Sequence, residues 1–146
     1  MTNFDFLKSE PKFAAFADVA ISAEKILNID IASSVLNCRR AMEFAVKWMY
    51  SVDKDLKMPY DSTLVALMST EEFRGVVGSD LLFRMTYIRK LGNEAAHSGN
   101  KISIEQAKLC IENLYIFMDF VACCYSEKYN DIITSFDKTL LENPGE

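Results

Sequence analysis

Histidine and tryptophan occur once each in this chain of 146 residues, proline three times and glycine five times. So few breakers leave little material for turns, and where Gly and Pro occur they mark the ends of elements. The four cysteines, Cys38, Cys110, Cys123 and Cys124, have neither C-x-x-C nor Cys/His spacing, which excludes a recognisable zinc site. They fall within apolar helical patterns and are expected to be reduced, buried small hydrophobes. Basic residues number 16 against 21 acidic ones, a net charge of -5. That balance excludes the broad basic surface of a non-specific phosphate binder. No apolar run reaches the roughly 20 residues of a membrane span; the nearest, "LYIFMDFVACCY", is short and contains Asp119. The opening "MTNFDFLKSEPKF" lacks the basic and apolar regions of a secretory signal, so a cytoplasmic location is expected.

What is present is helical periodicity over a composition that is 50% hydrophobic, enough for one well-formed core. A first helix is expected to begin at Pro11 and run to about Leu27, with Phe13, Phe16, Ala20, Ala23 and Leu27 on one stripe. Asp30 is placed to cap a second, running to about Met49, with Val35, Cys38, Met42, Ala45 and Met49 inward. A loop around Pro59 precedes a short helix over Thr63 to Met68, capped by Asp61 or Ser62, and another short piece is expected around Glu71 to Val77. Ser79 or Asp80 then starts a long helix carrying Leu81, Leu82, Met85, Ile88, Leu91 and Ala95 inward. It should stop at His97, before Ser98, Gly99 and Asn100. Ser103 and Gln106 form a capping-box pattern for the last helix, with Ile104, Ala107, Ile111, Leu114, Met118, Val121 and Tyr125 on one stripe. Phe117, Phe120 and Cys124 form a second stripe there, consistent with burial on most sides or with an oligomer interface. No run alternates with period two long enough to form a strand. The expected fold is all-α: a single-domain bundle of four long helices with one or two short ones, over residues 1–126. The tail over 127–146 lacks helical period and is expected to pack loosely or to lead into a larger protein.

The segments "FAAFADVAISAEKIL", "LNCRRAMEFAVKWMYS", "YIRKLGNEAAHSG" and "SFDKTLL", in that order, resemble one family over nearly the whole chain. It is the helical domain of unknown function at the N-terminus of the motor and nuclease R subunits of type I restriction enzymes and of related helicases. That family is similar to the HEPN superfamily, helical bundles that often act as dimeric ribonucleases in defence systems. HEPN ribonucleases carry an arginine, then a polar residue that is often asparagine, then three residues and a histidine. Here "GNEAAH" matches at Asn93 and His97 and has Gly92 where the arginine should stand. The resemblance implies a parent protein that continues past Glu146 into an ATP- and Mg-dependent DNA translocase and endonuclease. Its partners would be the other R-subunit domains and restriction-modification subunits, with DNA reached through the parent. This chain has no G-x-x-x-x-G-K-[ST] loop and no recognisable Mg-binding carboxylates, so no cofactor is expected for the domain itself.

Metal-free RNA cleavage needs a general base and acid, plus a cation for the charge that develops on phosphate. The candidate residues are Arg89, Asn93 and His97, successive steps of four on a helix, with Arg89 in place of the arginine lost at Gly92. The structural alternative is a histidine that donates to free carbonyls in the last helical turn. Gly92 costs the helix about 1 kcal/mol relative to alanine, so it marks a place where another backbone or a ligand approaches closely. Arg39 and Arg40 are candidates for nucleic-acid contact, although adjacent helical residues diverge by about 100° and form no single clamp. Structural ion pairs are the favoured reading for them, with Asp119 the expected partner of Arg39, Arg40 or Arg89, because a lone buried carboxylate is costly. The aromatic residues Phe13, Phe16, Trp48, Phe117 and Phe120 are expected in the core. Three functions remain open: a non-catalytic accessory domain, a HEPN-like metal-independent ribonuclease, and a helical dimerisation module acting as a homodimer.

Overall fold

The computed structural model describes residues 1–97, 101–127 and 135–142. Two 3-10 turns, Asp5–Ser9 and Pro11–Phe13, lead into α1, Ala14–Lys25. They are followed by α2, Ile31–Val52, the short α3, Leu64–Ser69, then α4, Glu71–Ala96, and α5, Ile104–Tyr125. A last 3-10 turn spans Lys138–Leu141. Proline at the first turn therefore opens a 3-10 segment, and the α-helix proper begins three residues later than its periodicity suggested. The chain is all-α among the described residues, with four long helices and one short one.

The caps follow local chemistry. Asp30 accepts from the Ser33 N–H at 3.1 Å, and Ser103 and Gln106 close a reciprocal box at 3.1 and 2.9 Å. At α3 the cap is Thr63, which accepts from Ala66 N–H; Asp61 sits two residues back and accepts from Thr63 N–H at 3.0 Å. Within α4, Gly78 takes φ 83 and ψ 165, so the two expected helical pieces are stacked across one kinked residue. That left-handed φ is open to glycine at no steric cost.

Contacts along the helices set their directions. Trp48 meets Phe13 at 5.4 Å, and the Ser34 hydroxyl donates to Ala23 O at 2.6 Å, so α1 and α2 are antiparallel. Tyr50 stacks on Phe73 at 5.9 Å while Arg39 lies on Gly92, so α2 and α4 are antiparallel. The Arg84 guanidinium donates to Asn113 Oδ1 at 3.0 Å and the Tyr87 hydroxyl to Gln106 O at 3.3 Å, which makes α4 and α5 antiparallel. The result is an up-down-up-down bundle with α3 laid across α2 and α4, and α2 parallel to α5.

Each predicted stripe of α2 is fully buried, from Val35 through Met49. In α5 the second stripe fades outward: Phe117 is buried, Phe120 half-buried and Cys124 exposed. The cysteines therefore divide. Cys38 and Cys110 are buried side by side, while Cys123 and Cys124 are exposed on the outward face of α5, whose last residue, Tyr125, still packs on Trp48. All four are free thiols. No described helix is long and apolar enough to cross a membrane.

The described part of the tail, residues 135–142, differs from the loose packing expected of it. Asp137 N–H donates to Asn3 Oδ1 at 2.7 Å, Asn3 Nδ2 to Asp137 O at 3.1 Å, and Asn28 Nδ2 to Leu141 O at 2.8 Å. Leu141 is buried, and Phe136 packs on Tyr115 at 5.4 Å.

Candidate functional site

The three residues of the HEPN-like pattern are not carried on one continuous helical face. Arg89 and Asn93 stand half-buried on one flank of α4, one turn apart. His97 is the residue that ends the helix: its backbone is extended at φ -91 and ψ 129, and its N–H donates to Glu94 O at 3.1 Å. The step of four therefore breaks before it reaches the imidazole, which is exposed. The stop chemistry assigned to Ser98, Gly99 and Asn100 lies outside the described residues.

Gly92 is buried, and its missing side chain has a specific use. A Cβ built there would lie 2.5 Å from Arg39 Cδ and 2.7 Å from Arg39 Cβ. The close approach anticipated at Gly92 is thus made by neither backbone nor ligand: the aliphatic stem of Arg39 crosses from α2 and packs flat on α4. The stem buries apolar methylenes while carrying its charged head toward the edge of the helix pair. Arg39 Nε is buried there with no hydrogen-bond partner.

The ion pairs expected of the arginines are not formed. Between described residues, Lys47 pairs with Glu43 at 3.0 Å and Arg84 with Asp80 at 3.4 Å. Asp119 is joined to none of Arg39, Arg40 or Arg89, and helix register explains why. Cys110 faces Cys38, one residue before Arg39, and Asp119 lies nine residues further along α5, about 13 Å at 1.5 Å per residue. Arg89 sits near the Tyr87–Gln106 contact, further away still. Asp119 is half-buried, and loss of hydration raises its carboxyl above the ordinary value.

Arg40 instead lies over the Phe44 ring, 5.4 Å from its centroid. Together with Ser33, Asn37 and Arg39 they line an open groove of about 630 Å³ along α2. A second groove of about 160 Å³, between α3 and α4, holds Arg74 and Arg89 over Val65, Met68 and Leu82. The two grooves share no lining residue; what links them is that Arg89 of the second stands one turn before Gly92, on which Arg39 of the first rests. Four of the chain's five arginines thus line these two grooves without a carboxylate partner among the described residues. The fifth, Arg84, is held by Asn113 and Asp80. Sequence singled out three of these four, but Arg74 gave no signal, because it stands on α4 across the Gly78 kink from Arg89 and only the folded chain places both on one groove. Among the described residues no cluster of His, Cys, Asp and Glu is arranged to hold a metal ion.

The aromatic residues behave as core. Phe13, Phe16, Trp48 and Tyr125 pack in a chain of edge contacts at 5.3 to 5.7 Å. The Tyr125 hydroxyl donates to Asp53 Oδ2 at 2.5 Å, and burial beside that carboxylate drives its ionisation far upward.

The family model described as "Domain of unknown function (DUF4145)" matches residues 22–135, and the chain belongs to that family. No curated protein and no solved structure matches it.

Proposed function

We propose that this is a non-catalytic accessory and assembly domain, of the kind implied by its resemblance to the N-terminal domains of type I restriction R subunits. The ATP-driven translocation and DNA cleavage would belong to the rest of such a protein. The observation that supports this reading is Gly92. A HEPN-type arginine at that position has no room, since even a Cβ would meet the Arg39 stem at 2.5 Å. With His97 beyond the end of the helix, the acid-base group and the cation are not presented together by α4.

The domain is expected to leave RNA and DNA intact in the absence of metal. Cleavage that disappears in His97→Ala would sink this reading. A reading frame that runs past Glu146 into helicase motifs supports the R-subunit assignment, and one that stops there removes it.

One observation favours the HEPN-like ribonuclease as a second reading. Arg39 lays its side chain over Gly92, the residue before Asn93, from another helix. In that case His97 would exchange the protons of the 2'-hydroxyl and the leaving oxygen, and Arg39 would meet the charge developing on phosphate. Cleavage would then be lost in both His97→Ala and Arg39→Gln.

A further inference from the structure

We propose that the arginine-lined seam of α2, α3 and α4 is a docking surface for an acidic, partly apolar peptide segment of a partner protein. The inference deepens the assembly reading and rests on it. The first argument is charge. In a chain with 21 acidic side chains against 16 basic ones, guanidiniums ordinarily find carboxylates of their own. Arg39, Arg40, Arg74 and Arg89 have none among the described residues, and Glu43, which shares their groove, is held by Lys47. Guanidiniums left without carboxylate partners on the surface of an acidic protein are complementary to a negative segment.

The second argument is the floor between the charges. Leu36 and Phe44 lie among Arg39 and Arg40, and Val65, Met68 and Leu82 lie among Arg74 and Arg89. Val65 is 49% exposed. Alternating guanidiniums and apolar side chains match a peptide in which Asp or Glu alternates with apolar residues. Each carboxylate would take a charge-assisted, two-pronged contact, and each apolar side chain would cover the floor. Arginine is suited to this because its planar fork is less strongly hydrated than an ammonium.

A nucleic acid fits less well. The molecule's net charge of -5 opposes the approach of a polyanion longer than the seam. The aromatic ring in the groove, Phe44, already carries Arg40 on its face and offers no free platform for a base.

The test is fluorescence anisotropy on the full chain with three labelled probes of equal length: a Glu/Leu copolymer peptide, its Gln/Leu counterpart and a mixed-sequence single-stranded DNA. The Glu/Leu peptide is expected to bind saturably, the Gln/Leu peptide not to, and binding to weaken as salt rises. Arg40→Gln, on an exposed position, should weaken binding at least about fivefold, and the added Arg89→Gln by a further similar factor, the roughly 1 kcal/mol of a partly exposed charge pair. Circular dichroism of each variant checks that the fold is retained. Equal affinity for the Glu and Gln peptides, affinity unchanged in the double variant, no saturable binding, or tighter binding of the DNA would each overturn the proposal. Because cleavage and peptide binding are read separately, the two failures are distinguishable: failure here leaves the non-catalytic reading standing, and RNA cleavage would remove that reading whatever the peptide does.

Discussion

At the scale of single residues, the clearest case of a position fixed by its neighbour is Gly92. Its cost to the helix was legible in the sequence, about 1 kcal/mol relative to alanine, and so was the idea that something approaches closely. What approaches was not legible, because it depends on which residues of α2 and α4 stand level. Gly92→Ala should therefore destabilise despite the gain in helix propensity. Overpacking costs about 1–3 kcal/mol, and although Arg39 Cδ at 2.5 Å can shift by side-chain rotation, Cβ at 2.7 Å is the root of the side chain and cannot swing away. A net loss of about 1 kcal/mol is expected in urea unfolding. In an Arg39→Ala background the loss should shrink without vanishing, since Cδ and Cγ are gone and the 2.7 Å approach to Cβ remains. Gly92→Ala more stable than wild type would refute the close contact. The same ignorance of register explains why Asp119 does not meet an arginine: the sequence showed a costly carboxylate and three arginines on other helices, and not their offset along the helix axes.

At the scale of the element, helices were legible because their determinants are local. The Asp30 cap and the Ser103–Gln106 box lie within four residues of what they stabilise, and stripes at steps of three and four identified the buried faces of α2 and α5. Gly75 and Gly78, two of the three glycines of α4, allow a paired measurement inside one element. Neither Gly75 nor Gly78 has any atom within 4 Å of a built Cβ, so space does not distinguish them. Conformation does. Gly75 is helical, and Gly75→Ala should stabilise by up to about 1 kcal/mol. Gly78 has φ 83, where an L side chain clashes with its own carbonyl, so Gly78→Ala should destabilise by about 1–2 kcal/mol. Thermal unfolding of both variants reads the two signs; equal shifts would mean that the kink is not held by glycine.

At the scale of the whole molecule, the two ends of the described chain are joined through a buried polar cluster that no local pattern announced. Asn3 sits 21 residues from Glu24 and 134 from Asp137, yet it bonds to both. Its backbone N–H donates to both Glu24 oxygens at 3.1 Å, and Nδ2 donates to Oε1 at 2.9 Å. Burial raises the Glu24 carboxyl above its ordinary value, and the bonds from Asn3 oppose that rise. A folded carboxyl raised in this way contributes stability that is present below pH 4.5 and is lost as pH climbs through the raised value. Asn3→Ala removes one bond to a charged oxygen and two bonds to the tail, so a loss of about 3 kcal/mol is expected at neutral pH. The backbone donor survives, but the carboxylate is less well satisfied and its proton is held still more firmly. Lowering the pH through that further-raised value protonates Glu24, so the missing Nδ2 bond becomes a neutral one, worth about half as much. The cost of Asn3→Ala should therefore shrink on acidification, toward the roughly 1 kcal/mol per bond of the tail contacts and one neutral hydrogen bond. Urea unfolding of wild type and variant at neutral pH and near pH 4.5 measures both values, and a cost that is the same at the two pH values would show that the charge on Glu24 plays no part in holding the ends together.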